Sequence, residues 1–232
     1  MSKIELLHGS DHVIEKPELY IGKKNNDYGQ GFYCTHESSM AMEWACKQNT
    51  NGLVNKYVLE QENLNILDLL NGEYNILHWM ALLLENRKFR LTSEIAIDAR
   101  DYIIDNFLID LSDYDVVIGY RADDSYFAFA ESFVQNGLSL RSLNEALRLG
   151  KLGSQTVLIS EKAFENLTFE SAEIADKNIY YPKFIDRDLS AKETYRKEIR
   201  KRASYKNDIF VLDILREEMT SDDVRIQRIV SE

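Results

Sequence analysis

Tyr114-Asp115-Val116-Val117-Ile118-Gly119-Tyr120 (YDVVIGY) puts three β-branched aliphatics in a row between turn-forming neighbours. A short continuous run of this kind is the pattern of a strand covered on both faces. Downstream, Ser154–Ser160 (SQTVLIS) is a second β-branched run, and Leu167–Glu173 a last strand. Upstream, Ile4–His8 is a short apolar run closed by Gly9-Ser10, and Gly31–Thr35 follows Gly29 in the same way. Val54–Glu60 alternates Val54, Lys56, Val58 and Glu60 against Tyr57 and Leu59, a strand with two different faces. Helix-period segments lie between the strands. Ser38–Lys47 carries Ala41, Trp44 and Ala45 at spacings of three and four, behind Thr35 and Ser38 as capping residues. Asn63–Leu111 repeats the pattern with Leu77, Met80, Ala81 and Leu84, then Ile97, Ile104, Phe107 and Leu108. Asp124–Gln135, Ser139–Leu149 and Leu189–Glu218 read as helices, Glu161–Asn166 as one or two helical turns. The expected fold class is α+β. Residues 1–180 are expected to form one domain that includes a helical insertion at 63–111. Residues 181–232 are expected to be a C-terminal helical extension packed on it, joined at Tyr180-Tyr181-Pro182, with Thr220–Glu232 frayed.

Composition narrows the function. Of 232 residues 44% are hydrophobic, and 28 Lys and Arg stand against 39 Asp and Glu, a net charge of -11 that repels a phosphate backbone. Nucleic acid is a disfavoured partner. The two cysteines, Cys34 and Cys46, read as buried thiols of a reducing compartment. No run approaches the ~20 apolar residues of a membrane span, so no membrane association and a cytoplasmic location are expected. His8, His12, His36 and His78 show no ligand spacing with the cysteines, and no metal is expected. Oligomeric state is not constrained by the sequence.

Four features stand in a meaningful order. His8 ends the first strand and is followed by Gly9 and Ser10; Gly29-Gln30-Gly31-Phe32-Tyr33 opens the second; Trp44 lies eleven residues past Tyr33; Gln155 opens the SQTVLIS strand. The set resembles the ADP-ribosyltransferase superfamily in its diphtheria-toxin-like and poly(ADP-ribose)-polymerase-like branch. More closely, the chain resembles the prokaryotic family designated domain of unknown function 3990. The matching pieces are LLHGS (Leu6–Ser10), DYGQGFY (Asp27–Tyr33), EWA (Glu43–Ala45), YDVVIGYRADD (Tyr114–Asp124) and SQTVLISEKA (Ser154–Ala163). The resemblance implies a split pair of small, mostly antiparallel sheets around a cleft for NAD. NAD is then the substrate of mono-ADP-ribosyl transfer to a macromolecular target, expected to be a protein, with NAD hydrolysis as a side reaction. It also implies a toxin of a toxin–antitoxin pair, with a small antitoxin as partner.

Roles follow residue by residue. Nicotinamide is a flat aromatic amide, best held between aromatic faces at about 1 kcal/mol for each stack, with backbone groups on its carboxamide. Tyr33 and Trp44 are the candidate faces, Gly9 and Gly31 the backbone contacts. Ser10 is in reach of the amide, His8 of the adenosine-side ribose, and Asp123, with Asp124, of a ribose or a nucleophile. His8, Tyr33 and Gln155 are the candidate catalytic residues. Cleavage of the glycosidic bond builds positive charge at the ribose carbon, which an acceptor on the neighbouring hydroxyl stabilises. The resemblance places a glutamate in that role, and this chain has Gln155, so a single transfer is favoured over elongation. Ala41 stands where the polymerases carry a serine. A carboxylate accepts more strongly than an amide, so Gln155→Glu is expected to raise NAD cleavage.

Plainer readings exist for each residue. His8 can be a structural strand-end histidine, Tyr33 and Trp44 core aromatics, Gly29 and Gly31 turn residues, Gln155 a polar strand end, and Asp123-Asp124 a helix cap. A catalytically silent interaction module on the same fold and an NAD glycohydrolase are the alternatives to a transferase. Lys192–Lys206 holds seven basic residues and two acidic ones, which reads as a solvated helix face or as a docking site for an acidic partner.

Overall fold

A computed structural model describes residues 3–71, 73–122, 124–149, 153–201 and 208–231. In chain order its elements are β1 (Lys3–Ser10), β2 (Phe32–Cys34), α1 (Ser38–Ala45), β3 (Gly52–Glu60), β4 (Ile66–Asp68), α2 (Ile76–Asn86), α3 (Glu94–Phe107) and β5 (Val116–Tyr120). There follow α4 (Asp124–Val134), α5 (Leu140–Leu149), β6 (Ser154–Leu158), α6 (Glu161–Glu165), β7 (Leu167–Ala175), α7 (Lys177–Lys201), α8 (Val211–Arg216) and α9 (Val224–Ser231). The class is mixed α+β. The chain divides into two compact units, the first made of Met1–Asp68, Leu111–Arg121 and Leu152–Asp188, the second of Leu69–Asp110, Ala122–Lys151 and Leu189–Glu232.

The first unit holds both sheets. One is antiparallel throughout, in the order β1-β3-β7; the other runs β2-β6-β5-β4, antiparallel except for the parallel β4–β5 pair. Leu6 and Leu7 are both buried although they point to opposite faces of β1, so both faces of the first sheet are covered. Leu6 packs with Phe32, Cys34, Tyr57, Leu59, Val116 and Leu158, which joins the two sheets in one core. Leu7 packs with Ala41, Met42, Ala45 and Val54, where α1 lies on the other face. The run Val116-Val117 is fully buried, as a strand between two neighbours requires. Both cysteines are free and buried, and burial pushes their thiols up.

In the second unit α2 is apolar almost all round, with Ile76, Leu77 and Trp79 to Leu84 buried. A helix of that kind must be covered on every side. α3 packs against α2, and α4 and α8 pack against α3. The segment read as a helical insertion at 63–111 therefore divides: Ile66–Asp68 is a strand of the first unit, and α2 and α3 belong to the second.

Two further readings are corrected. Residues 224–231 form α9 rather than fraying, because Ile226 and Ile229 share a face and are buried, and Asn144 donates to the Ile229 carbonyl. The last long helix begins at Lys177, ahead of Pro182. Pro182 is its sixth residue, so only one intrahelical bond, to the Asn178 carbonyl, is forgone. No helix among the described residues is long and apolar enough to cross a membrane.

Candidate functional site

β1 and β2 are edge strands of different sheets, and they meet at one point. The Leu7 N–H donates to the Thr35 carbonyl (2.8 Å) and the Thr35 N–H to the Leu7 carbonyl (2.9 Å). Peptide groups alternate sides along a strand, so Glu5 and Gly9 present theirs to the same edge as Leu7, away from β3. The Glu5 carbonyl duly accepts from His36 Nδ1 (2.9 Å). Continued in the same antiparallel register, Gly9 would come opposite Tyr33, but the ladder stops at Leu7–Thr35. In its place the His8 side chain spans the gap, its Nδ1–H donating to the Tyr33 carbonyl (2.7 Å). Gly9 thus keeps one N–H and one C=O on an open strand edge, with no protein partner among the described residues.

A carbonyl can only accept, so the bond to Tyr33 fixes the proton on His8 Nδ1 and leaves Nε2 with its lone pair. The ring stacks on Phe32 at 4.4 Å with an interplanar angle of 27°. Burial pushes the imidazole pKa down, the Tyr33 carbonyl pulls against that, and nearby His12 adds to the push. The net direction keeps the ring neutral near pH 7.

Gly9 has a second constraint. A Cβ there would lie 2.3 Å from the Ala41 carbonyl oxygen, 2.8 Å from the Ala45 nitrogen and 3.2 Å from Trp44 Cβ, so glycine lets α1 rest directly on β1 with the Trp44 Cβ against Gly9. Gly31 has a similar packing role, since its Cβ would lie 2.7 Å from Val157 Cγ1 and 2.8 Å from the Leu158 carbonyl. Ser10 is engaged by the protein: its hydroxyl donates to the His12 carbonyl and accepts from Asn55 Nδ2 (2.9 Å), a fully buried amide that also accepts the Ile14 N–H.

Tyr33 donates its hydroxyl to the Gly29 carbonyl (2.7 Å) and accepts the Tyr28 N–H (3.0 Å), which folds the 28–33 loop round its own ring. Trp44 has one face covered by the Arg121 guanidinium, 3.9 Å from the ring centroid. A nicotinamide stacked on that face must first displace Arg121. The other guanidinium near α1, that of Arg187, pairs with Glu43 at 3.0 Å.

Gln155 is 3% exposed and stands opposite Gly119 on β5, two residues from Val157, which faces Tyr33 across β2–β6. Tyr33 and Gln155 therefore share one face of the second sheet. Gln155 Nε2 lies 3.1 Å from Asp27 Oδ2 and 3.1 Å from the Tyr120 carbonyl. Tyr28 also donates to that carbonyl, at 2.7 Å.

The fold thus brings His8, Gly9 and Tyr33 together at the parting of β1 and β2, with Trp44 beside Gly9 and Gln155 on the sheet face of Tyr33. Asp123 lies outside the described residues, and Asp124 opens α4 in the second unit. Of the basic stretch, Lys192, Arg196 and Lys197 are exposed on α7, and residues 202–206 lie outside the described residues. Two residues escaped the sequence reading. Asp27 was legible as the acid opening DYGQGFY, and Arg121 as the cation following YDVVIGY, but their partners are far away in the chain. Among the described residues no group of three or more His, Cys, Asp or Glu is placed to hold a metal.

No curated protein and no solved structure matches the chain. A family model does, described as protein of unknown function (DUF3990), over residues 4–169. With that match across more than half of its length, and with LLHGS, DYGQGFY and YDVVIGY all inside it, the chain belongs to the DUF3990 family.

Proposed function

We propose that the chain is an NAD-dependent mono-ADP-ribosyltransferase of the ADP-ribosyltransferase superfamily, acting on a protein target as the toxin of a toxin–antitoxin pair. The observation that carries this reading is the open edge at Gly9. One donor and one acceptor, side by side on a strand edge, are the complement of a primary carboxamide, and nicotinamide carries such a group. Trp44, whose Cβ lies against Gly9, offers an aromatic face once Arg121 moves, and the neutral His8 Nε2 offers an acceptor for a ribose hydroxyl. The Gln155 carbonyl oxygen is a second acceptor on the face of Tyr33. In the reaction the bond from the ribose carbon to the nicotinamide nitrogen breaks, and nicotinamide leaves with the electron pair. A target nucleophile, or water in the side reaction, bonds to that carbon and releases a proton. Acceptors on the ribose hydroxyls stabilise the positive charge that develops between these events.

Incubation with NAD labelled in its adenylate half, with and without cell lysate, tests the reading. Label should pass to protein and nicotinamide should be released. His8→Ala should lower release by about tenfold, the worth of one hydrogen bond of about 1.4 kcal/mol. Absence of transfer and of release from the folded wild type would leave the silent interaction module.

Stacking is tested by fluorescence. NAD should alter Trp44 emission as Arg121 is displaced, and Trp44→Phe should abolish the change, with Trp79, buried in α2, as a constant background. A saturating NAD concentration that leaves the spectrum unchanged excludes Trp44 as the stacking face.

A further inference from the structure

We infer that Asp27 aims Gln155 and supplies the negative charge of the site, so that the two residues act as one acceptor whose oxygen is on Gln155 and whose charge is on Asp27. The catalytic half of this inference rests on the proposed NAD chemistry; the pairing itself does not.

The geometry is specific. Asp27 is 5% exposed, in the loop that leads into β2, and Gln155 is 3% exposed at the start of β6. The two groups that face the Gln155 amide, Asp27 Oδ2 and the Tyr120 carbonyl, each at 3.1 Å, are both acceptors. Only an NH2 group satisfies both, so the amide cannot be turned over, and the two N–H bonds are used. The carbonyl oxygen Oε1 is then forced to the opposite side, where it accepts from no protein donor among the described residues. An anion that accepts from the amide N–H draws the proton side of the amide toward itself and enriches the carbonyl oxygen in electron density. Asp27 thereby strengthens Oε1 as an acceptor for a hydroxyl, and its buried charge acts through space on a cation forming there.

Gln155→Glu therefore carries a stability cost that the expectation from the sequence leaves out. A glutamate of the same shape would set a second carboxylate against Asp27 and the Tyr120 carbonyl, where the Gln155 amide had supplied a donor to each. Two carboxylates in one buried site cannot both stay ionised, and the pair must hold a proton. The pair's upper pKa is then raised above the unfolded value. Its folded form is tolerated in acid and loses stability as pH rises through that pKa. Asp27→Asn removes the conflict by supplying a donor.

The test uses the full chain as wild type, Asp27→Asn, Gln155→Glu and the double variant. The first readout is the thermal midpoint between pH 5 and pH 8. Gln155→Glu should melt about 5 °C or more below wild type at pH 8, the gap should narrow toward pH 5, and the double variant should recover at least about half of it. The second readout is nicotinamide release. Asp27→Asn should lower kcat about tenfold with KM for NAD changed less than about twofold, because orientation survives and charge does not. Additive midpoints, or a gap independent of pH, overturn the pairing. Coupled midpoints with an unchanged kcat in Asp27→Asn overturn the charge role and with it the inference. A wild type that releases no nicotinamide refutes the proposed function, and the midpoint cycle still decides the pair.

Discussion

Gly9→Ala should cost about 3 kcal/mol of stability, lowering the thermal midpoint by about 6 to 12 °C, and should do so without removing any favourable contact. The methyl group would meet backbone rather than a yielding side chain: the Ala41 carbonyl oxygen at 2.3 Å, the Ala45 nitrogen at 2.8 Å, and Trp44 Cβ at 3.2 Å. Each belongs to α1, so the helix must move as a body. α1 rests on β3, on the same sheet face, as closely as on β1, because a Cβ on Gly52 would lie 2.3 Å from the carbon, oxygen and Cβ of Ala45. Overpacking usually costs about 1 to 3 kcal/mol, and a clash with the backbone of a helix seated directly on two strands belongs at the upper end. Denaturant melts of Gly9→Ala against wild type measure the effect. A loss below about 1 kcal/mol would mean that α1 slides off β1 freely, and that Trp44 is not held in register with His8. The same variant should impair NAD handling through Trp44 even where the fold persists, since the shift of α1 carries the indole with it.

Glycine at position 9 was legible in the sequence as the second residue of HGS, but the reason for it was not. The sequence reading assigned its backbone to a ligand, and the fold adds a packing demand on the other side of the same residue. Both arise because β1 is an edge strand with α1 on one face, which no local pattern encodes. The strands with β-branched runs were legible for a simple reason. Val116, Val117 and Ile118 must be apolar to sit between neighbours, and Val157 and Leu158 face them across the sheet. β4 was not, because three residues are too few to display a period, and its pairing with β5 comes from a segment otherwise helical. α9 was missed because chain ends usually fray, although Ile226 and Ile229 at a spacing of three marked one buried face. At the site, His8 and Tyr33 stood out as candidates on separate strands, and the bond from the His8 ring to the Tyr33 carbonyl is the link the spacing could not show. Asp27 and Gln155 are 128 residues apart, and Arg121 reaches Trp44 from the end of β5. Side-chain pairs at such separations leave no mark on spacing, so the expectation that Gln155→Glu raises NAD cleavage was drawn without the Asp27 carboxylate that faces the amide.

Acidification from pH 7 to pH 5 should weaken the protein by up to about 2.7 kcal/mol per pH unit where two histidines titrate together, each contributing at most about 1.36. His8, in the first unit, has its pKa lowered by burial, against the opposing bond to the Tyr33 carbonyl and with a further push from His12. His78, in the second, is lowered by burial against an opposing bond to Asn75 at the start of α2. In the unfolded chain both rings take up protons near pH 6.5, whereas in the folded chain they resist until lower pH. The unfolded state then binds more protons across that interval. Stability is complete above about pH 7 and is lost as pH falls below about 6.5, levelling off only beneath the folded pKa values. Carboxylates act lower in the scale. Burial works against the Asp115 carboxyl, but Ser160, the Asn65 N–H and Lys162 hold it below the usual range, so its contribution is lost only in stronger acid. His78→Gln isolates one of the two slopes, because glutamine can keep the reciprocal cap with Asn75 while removing the titrating ring. Denaturant melts at half-unit intervals should give a shallower pH dependence for His78→Gln than for wild type, with what remains assigned to His8. A wild-type stability that is flat between pH 7 and pH 5 would mean that neither ring is held neutral by the fold. His8 Nε2 would then still be an acceptor at pH 7 but would lose its lone pair to a proton as pH falls through about 6.5, and the ribose contact proposed for it should weaken over that interval.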